Sequence, residues 1–404
     1  MVTFEKISGG GITSAQGFLA CGVAAAIKYE GRKDVAMVAG EKRCAVAGMF
    51  TTNQVAAAPV ILDRERVKNG YARAILINSG CANACTGEQG LADAKASAQA
   101  VASALGANEN EILVCSTGVI GVYLPMERLA AGAKAAVAAL SPTGGADASR
   151  AIMTTDLVPK ESAVAVMIDG KRVVIGGMCK GSGMIEPRMA TMLGFVTTDA
   201  NIGPTALDAA LRLAVEKTFN RAVVDGDQST NDTILIMASA AAGNSELTPA
   251  HPQWQDFCAA LREVCDQLAR KIVMDGEGAT KFVTVRVKGA ATERDAQLAA
   301  RSIAKSALVK TSWFGCDPNW GRVMCAAGYS GAIVDDQKAQ VFYGSECVFD
   351  HGKVVMRDRD AVQAVMRERA FEVTVNLNLG NGEDTVYTCD FSYDYVKING
   401  DYTT

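Results

Sequence analysis

The order of apolar and polar residues predicts alternating strands and helices along most of the chain. Short apolar runs rich in β-branched residues predict buried strands, and longer Ala-rich segments with apolar residues three and four positions apart predict amphipathic helices. The predicted strands are residues 72–78, 111–115, 172–179, 192–198, 233–239 and 282–287. The predicted helices are residues 91–105, 125–140, 204–219, 252–271 and 292–309.

The pattern changes in the last quarter of the chain, where strands dominate. Residues 339–343, 346–349, 353–356, 372–379 and 385–391 are predicted strands, interrupted by a short helix over 360–369. Polar turns between them are typical of antiparallel hairpins. Together these elements predict an α/β protein of layered, mixed sheets. A length of 404 residues is compatible with two or three domains, or with one large domain.

Composition and charge exclude several classes of protein. With 49% hydrophobic and 21% charged residues, the chain has the composition of a globular protein. The formal net charge is −4 and the basic residues form no long run, so no nucleic-acid partner is expected. The apolar runs are far shorter than the ~20 residues of a membrane helix, and residues 1–10 do not resemble a signal peptide. We therefore expect a cytoplasmic protein that does not engage a membrane.

Cysteine and histidine limit the chemistry. The twelve cysteines are scattered without a Cys-x-x-Cys pair, so we expect reduced thiols and no metal site. The only histidines are His251 and His351, and a Ser-His-Asp or Cys-His arrangement would have to use one of them. If the chain is an enzyme, another group is expected to act as the general base.

One irregular segment, KGSGMIEPRMA over residues 180–190, precedes Thr191 at the head of a predicted strand. Gly181 and Gly183 permit unusual backbone angles, and Pro187 disfavours helix for the residue before it. This arrangement suits a self-cleaving nucleophile, because a threonine hydroxyl can attack the preceding carbonyl and the new α-amine, with a pKa of about 7.7–8.0, can serve as its base. On pattern alone, an ordinary turn before a strand is the better explanation of the segment.

The segment KGSGMIEPRMATMLGFVTTDA (residues 180–200) resembles the signature of the ornithine acetyltransferase family, whose precursors cleave at the Ala-Thr bond of this motif. Further blocks resemble family segments in the family's order: CSTGVIGVYLP (115–125), AIMTTD (151–156), VDGDQSTND (224–232), DGEGATKF (275–282), DPNWGR (317–322) and ING-DYTT (398–404). Several blocks at compatible spacing are far more specific than one motif.

The resemblance implies the self-cleaving, N-terminal-nucleophile-like fold that self-processing aminopeptidases share. Cleavage between Ala190 and Thr191 would give fragments 1–190 and 191–404, associated as a heterotetramer of two of each. The implied reaction belongs to arginine biosynthesis and moves the acetyl group of N2-acetylornithine to glutamate through an acetyl-Thr191 intermediate. No cofactor is implied. Some relatives also use acetyl-CoA, and the sequence leaves that activity open.

The resemblance also assigns roles to residues. Thr191 would be the nucleophile, and Thr117 and Gly118 would form the oxyanion hole. The substrate-contacting residues would be Thr154, Lys180, Thr191, Glu277, Asn399 and Thr404. Thr155, beside Thr154, is an alternative for that position. Leu157 stands where the family often has Thr, and Arg188 stands where Asn is expected.

Two other functions are compatible with the sequence. A self-cleaving aminopeptidase or amidase of the same fold would share Thr191, but it would hydrolyse amides without needing glutamate. A non-catalytic binding protein of this fold would stay uncut.

Overall fold

Nine strands form one mixed sheet within residues 4–186 and 192–401, which are the residues that the computed structural model describes. These strands are β1 (Glu5–Lys6), β2 (Phe18–Val23), β3 (Val35–Phe50), β4 (Tyr71–Cys81), β5 (Ile112–Val119), β6 (Lys160–Ile168), β7 (Lys171–Lys180), β8 (Leu193–Thr198) and β10 (Thr233–Ala238). Strand β9 (Ala222–Val223) belongs to a second sheet. Their order is β1-β6-β7-β8-β10-β3-β4-β5, and β2 pairs with the first part of β3. The pairs β4–β5 and β8–β10 are parallel, and the other pairs are antiparallel.

Both faces of this sheet are buried. The associated helices are α1 (Ala58–Arg66), α2 (Gly87–Leu105), α3 (Met126–Ala138), α4 (Gly145–Ala151), α5 (Pro204–Glu216) and α6 (Trp254–Met274). In β4, Ile75 and Ile77 belong to the apolar cluster that includes side chains of α4, whereas Leu76 belongs to the cluster that includes side chains of α2 and α3. Successive side chains of a strand point to opposite faces, so a nearly continuous apolar run can supply two cores.

The second sheet is built from strands late in the chain. Counted over the same described residues, it has seven strands: β9, β11 (Phe282–Ala290), β12 (Gln340–Tyr343), β13 (Glu346–Asp350), β14 (Lys353–Val354), β15 (Ala370–Asn376) and β16 (Gly382–Cys389). Their order is β14-β13-β12-β15-β11-β16-β9. The helices of this part are α7 (Glu293–Lys305), α8 (Ala307–Phe314), α9 (Trp320–Gly328), α10 (Arg359–Arg367) and α11 (Tyr393–Asp401). Alternate valines of β11 (Val283, Val285 and Val287) pack with Trp313 in one core, and the residues between them are more exposed.

The chain divides into two compact units. Of the described residues, the first unit contains 4–186, 192–220 and 227–272, and the second contains 221–226 and 273–401. Short 3-10 helices complete the elements at Val67–Asn69, Glu109–Glu111 and Phe219–Arg221. The predicted division at residue 190 concerns backbone cleavage rather than compactness, and it stays a prediction.

The predicted class, α/β with mixed sheets, is confirmed, but two element predictions were wrong. Residues 292–309 do not form one helix, because α7 ends at Lys305 and α8 begins at Ala307. Ser306 between them has an extended backbone, and its hydroxyl accepts a hydrogen bond from the Val309 amide. Serine favours such caps over helix interiors, and this preference overrides the apolar periodicity.

The second error concerns the last strands. β12, β13 and β14 do form antiparallel pairs, as predicted. β15 and β16 do not pair with each other, because β11 lies between them, parallel to β15 and antiparallel to β16. The valine-rich β11 thus has hydrogen-bonded neighbours on both edges, a position that local turn signals do not reveal.

None of the helices that the structure describes has the length and apolar character required to cross a bilayer.

Candidate active site

Thr117 and Gly118 lie at the end of β5, where the strand meets the turn that follows β4. Thr117 is buried, and Gly118 has a φ of +128°, a region that L-residues rarely adopt. A Cβ built at Gly118 would lie 2.3 Å from the backbone carbon of Gly80. Position 118 therefore requires glycine for two reasons, backbone conformation and the close approach of a neighbouring main chain.

Buried amide side chains hold this turn in place. The Asn231 Nδ2 donates hydrogen bonds to the carbonyl oxygens of Ala82 at 2.6 Å and Ser116 at 2.8 Å. The Ser116 hydroxyl donates to Asn78 Oδ1 at 2.7 Å, and Asn78 Nδ2 donates to the carbonyl of Cys81 at 2.8 Å. Buried polar groups that are fully hydrogen-bonded make a local structure rigid, so this network fixes the backbone around Thr117.

Lys180, the last residue of β7, contacts Thr117. Its Nζ donates a hydrogen bond to Thr117 Oγ1 at 3.2 Å, although the two residues are 63 positions apart. In the sheet, Lys180 pairs with Leu193 at the start of β8. The structure thus brings together two of the residues that the resemblance assigned separately to the oxyanion hole and to substrate contact.

Asp156 is a buried carboxylate that the sequence reasoning did not single out. Its Oδ1 accepts hydrogen bonds from Lys160 Nζ at 2.6 Å and from the Gly181 amide at 2.7 Å, and its Oδ2 accepts from the Thr154 amide at 3.0 Å. Burial acts to raise the pKa of Asp156, but the positive charges of Lys180 and Lys160 and these hydrogen bonds outweigh it and lower the pKa. The carboxylate is therefore charged, and it ties the Thr154 segment to the end of β7.

Thr154 is half-buried, and its main chain is held from two sides. Its amide donates to Asp156, and its carbonyl accepts a hydrogen bond from Arg32 Nη2 at 3.2 Å. Thr155 is also half-buried, so both threonines stay candidates for the predicted substrate contact. Leu157, which departs from the family pattern, has 82% of its surface exposed.

In the second unit, Glu277 and Asn399 lie side by side. Glu277 is buried, and its Oε2 accepts a hydrogen bond from Asn399 Nδ2 at 2.8 Å. Asn399 lies on α11, and the same Nδ2 donates to the carbonyl of Tyr395 one turn earlier at 3.0 Å. Two further residues from separate sequence blocks, 122 positions apart, are thus brought together.

The loop that carries Glu277 is fixed against the segment that leads into α11. Ser392 Oγ donates to the carbonyl of Gly278 at 2.6 Å, and Asp390 accepts hydrogen bonds from the amides of Thr280 and Lys281, both at 2.8 Å. Gly278 has a φ of +66°, and a Cβ there would lie 2.5 Å from the Tyr395 amide nitrogen. This contact explains the glycine that follows Glu277 in the sequence.

A Ser-His-Asp cluster does occur, but its geometry does not suit catalysis. His251 Nε2 lies 3.1 Å from Ser245 Oγ and 3.2 Å from Asp169 Oδ2, and the Ser245 hydroxyl itself donates to Asp169 at 2.5 Å. His251 Nδ1 accepts a hydrogen bond from the Gln253 amide at 3.1 Å, so the neutral ring carries its proton on Nε2. An Nε2 that is already protonated cannot take the serine proton, and the cluster therefore acts as a loop contact.

Several predicted residues lie outside the described part of the chain. These are the nucleophile Thr191, its cleavage partner Ala190, the C-terminal Thr404 and the departure Arg188. The predictions made for them stay predictions.

Comparisons with known proteins identify the family. The ArgJ family model matches residues 19–404. The arginine biosynthesis bifunctional protein ArgJ of Symbiobacterium thermophilum is 52% identical over 98% of this chain and 99% of its own length, and that of Geobacter sulfurreducens is 50% identical over 97% and 100%. The chain belongs to the ArgJ family. A crystal structure of the ArgJ protein from Bacillus halodurans is 44% identical, covering 52% of this chain and 100% of the solved chain with a TM-score of 0.51.

Family membership confirms the resemblance drawn from the sequence blocks, and with it the prediction of an enzyme. The chain is an acyltransferase of arginine biosynthesis. Sequence reasoning missed Asp156 and Asn231. Asp156 is the last residue of the block AIMTTD, and Asn231 is the last but one of the block VDGDQSTND. Both are buried polar residues that bond to groups on other elements, Gly181 for Asp156 and Ala82 and Ser116 for Asn231, so the fold is needed to reveal them.

Proposed function

We propose that this enzyme transfers the acetyl group of N2-acetylornithine to glutamate by a ping-pong mechanism, with Thr191 as nucleophile. The observation that carries the proposal is the hydrogen bond from Lys180, at the end of β7, to Thr117, which directly precedes Gly118 near the end of β5. Lys180 pairs with Leu193, which follows Thr191 by two residues in sequence. The predicted nucleophile therefore follows Lys180 closely in sequence.

The first half-reaction forms an ester. The Thr191 hydroxyl attacks the acetyl carbonyl of N2-acetylornithine, its α-amine takes the hydroxyl proton, and ornithine leaves with that proton on its own amine. A hydroxyl has one proton and two lone pairs, so Thr117 Oγ1 can accept from Lys180 and still donate its own proton. That donation, together with backbone N–H groups at Gly118, would stabilise the oxyanion.

The second half-reaction reverses the first with another amine. The amino group of glutamate attacks the acetyl-Thr191 ester and leaves as N-acetylglutamate, and Thr191 regains its proton. Because both substrates share an α-amino-acid frame, one site can serve both. Glu277 offers a buried carboxylate for the positive side chain of ornithine. The other proposed substrate contacts are Thr154, Lys180, Asn399 and Thr404.

The α-amine of Thr191 exists only if the backbone is cut between Ala190 and Thr191. The curated relatives match this chain along nearly their whole length. The solved B. halodurans chain is shorter, because its full length corresponds to only 52% of this chain. Residues 191–404 make up roughly half of this chain, so that length supports a protein present as two fragments. We propose a heterotetramer of two copies of each fragment, acting in the cytoplasm.

We also propose acetyl-CoA as a second acetyl donor. The relatives carry the word "bifunctional" in their names, and an acetyl thioester could acetylate Thr191 as acetylornithine does. The transfer itself needs no cofactor in this mechanism.

Ornithine release from N2-acetylornithine, measured with and without glutamate, tests the proposal. We expect release to require glutamate, to equal N-acetylglutamate formation, and to give parallel lines in double-reciprocal plots. Thr191→Ala should be inactive, and acetyl-CoA should replace acetylornithine as donor when N-acetylglutamate formation is measured. Equal release without glutamate would mean hydrolysis, as in an aminopeptidase or amidase, and would contradict the proposal.

A further inference from the structure

Asp156 holds the segment that carries Lys180, although no substrate contact is predicted for it. Its carboxylate accepts the Gly181 amide, which directly follows Lys180, and the Thr154 amide. The backbone of Lys180 is thus held by strand pairing with Leu193 and by the hydrogen bond of the next amide, that of Gly181, to Asp156. A single carboxylate therefore holds the backbone directly after Lys180, whose ammonium contacts Thr117.

Asp156 also balances a buried cation. Lys160 is fully buried, and its Nζ lies 2.6 Å from Asp156 Oδ1 in an ion pair with 1% and 0% side-chain exposure. A buried ammonium is costly unless a carboxylate compensates it. The pair keeps the charge of Lys160 compensated close to Lys180.

Other ionisable groups adjoin this pair. Glu161 follows Lys160 in β6, and Glu186 is buried in the segment after Lys180. Cys179 precedes Lys180 and faces Lys160 and Asp156, but burial raises the pKa of its thiol to about 12, so it stays neutral. Lys271, on α6, is exposed, and its positive charge affects the Cys179 thiol less than the charge of Lys160 does. Asp156 is the carboxylate that accepts hydrogen bonds from both Lys160 and the Gly181 amide.

We propose that Asp156 is a positioning residue of acetyl transfer, which orients Lys180 toward Thr117 and, paired with Lys160, sets the local charge around the base of the reaction. The inference rests on the proposed function, because that base is the Thr191 amine. A positive charge near an amine disfavours its protonation, and a negative charge favours it. Removing Asp156 or removing Lys160 should therefore move the apparent pKa of the base in opposite directions.

The experiment measures kcat/KM for acetylornithine and glutamate against pH in the cleaved enzyme. Asp156→Asn should shift the acidic limb of the profile down by about 0.5–1 pH unit, and Lys160→Gln should shift it up by a similar amount. The double variant Asp156→Asn/Lys160→Gln, which restores the net charge, should return the limb to near its original position. Plateau kcat should fall about tenfold in Asp156→Asn, because Lys180 loses its fixed direction.

A matched control separates this role from the general loss of an ion pair. Asp208 and Arg212 form an i,i+4 ion pair of the same spacing, 2.7 Å apart but exposed on α5. Asp208→Asn should leave both the acidic limb of the pH profile and kcat unchanged.

The outcomes are distinguishable. Opposite shifts that cancel in the double variant support the inference. Cleaved, active variants that all keep the original limb overturn it, since a purely structural role would change yield or stability alone. If Asp156→Asn does not fold, Lys160→Gln must still shift the limb upward, and its failure to do so overturns the inference. An original enzyme that is active but uncut would instead overturn the proposed function first.

Discussion

Gly118 illustrates what a single residue contributes here. Its φ of +128° and the close approach of the Gly80 main chain leave no room for a Cβ. The family resemblance implied an oxyanion role for Gly118, but the sequence did not show which neighbour makes glycine necessary. The structure supplies that neighbour.

We predict that Gly118→Ala lowers kcat by about 10²–10³-fold, because relief of the backbone contact displaces the N–H groups aimed at the oxyanion. Steady-state kinetics on the cleaved enzyme would measure this fall in kcat. Gly121→Ala is the matched control: Gly121 also has a positive φ, +79°, but nothing lies within 4 Å of a Cβ there. The control should cost about 1 kcal/mol of stability and little activity. Equal kinetic losses in both variants would argue against a specific role for position 118.

At the scale of elements, the ends of β4, β5 and β7 meet because buried polar side chains hold them. Asn231 joins the turn after β4 to β5 through two carbonyl groups. A carbonyl that loses its donor in a buried site leaves a polar group unsatisfied, which costs about 1–3 kcal/mol.

We therefore predict that Asn231→Ala destabilises the folded protein by about 2 kcal/mol. For a unit of this size the midpoint temperature of thermal unfolding should fall by about 4–8 °C, which a thermal shift assay would detect. Asn110→Ala, at an exposed asparagine, should change the midpoint little. The same midpoint in the two variants would show that the Asn231 amide does not support the turn.

The same scale shows how far the sequence predicts the fold. Long periodic segments such as α2, α5 and α6 were predicted with errors of a few residues at the ends, because hydrophobic periodicity is local information. The break at Ser306 and the central place of β11 were missed. The break was missed because a serine cap depends on one residue, which the apolar periodicity around it conceals. The position of β11 was missed because strand pairing depends on partners distant in the chain.

For the site, the sequence blocks supplied Thr117, Lys180, Glu277 and Asn399, and the structure joins them in two pairs. The roles of these residues stay predictions. Asp156 and Lys160 were not predicted, because a buried ion pair has no local sequence signature. Their importance depends on which backbone groups fold around them.

At the scale of the whole molecule, the proposed chemistry depends on one covalent event. His251 Nδ1 accepts a backbone hydrogen bond and its Nε2 faces Ser245, so this histidine does not suit the role of base, and the proposed mechanism uses the Thr191 amine. The amine requires cleavage, and so does the proposed assembly of two kinds of fragment.

The most direct test is the intact mass and N-terminal sequence of the purified protein, compared with the Thr191→Ala variant. We predict two fragments, 1–190 and 191–404, the second beginning with Thr-Met-Leu-Gly, and an uncut chain of 404 residues for the variant. An original protein that is fully active as a single uncut chain would contradict the account.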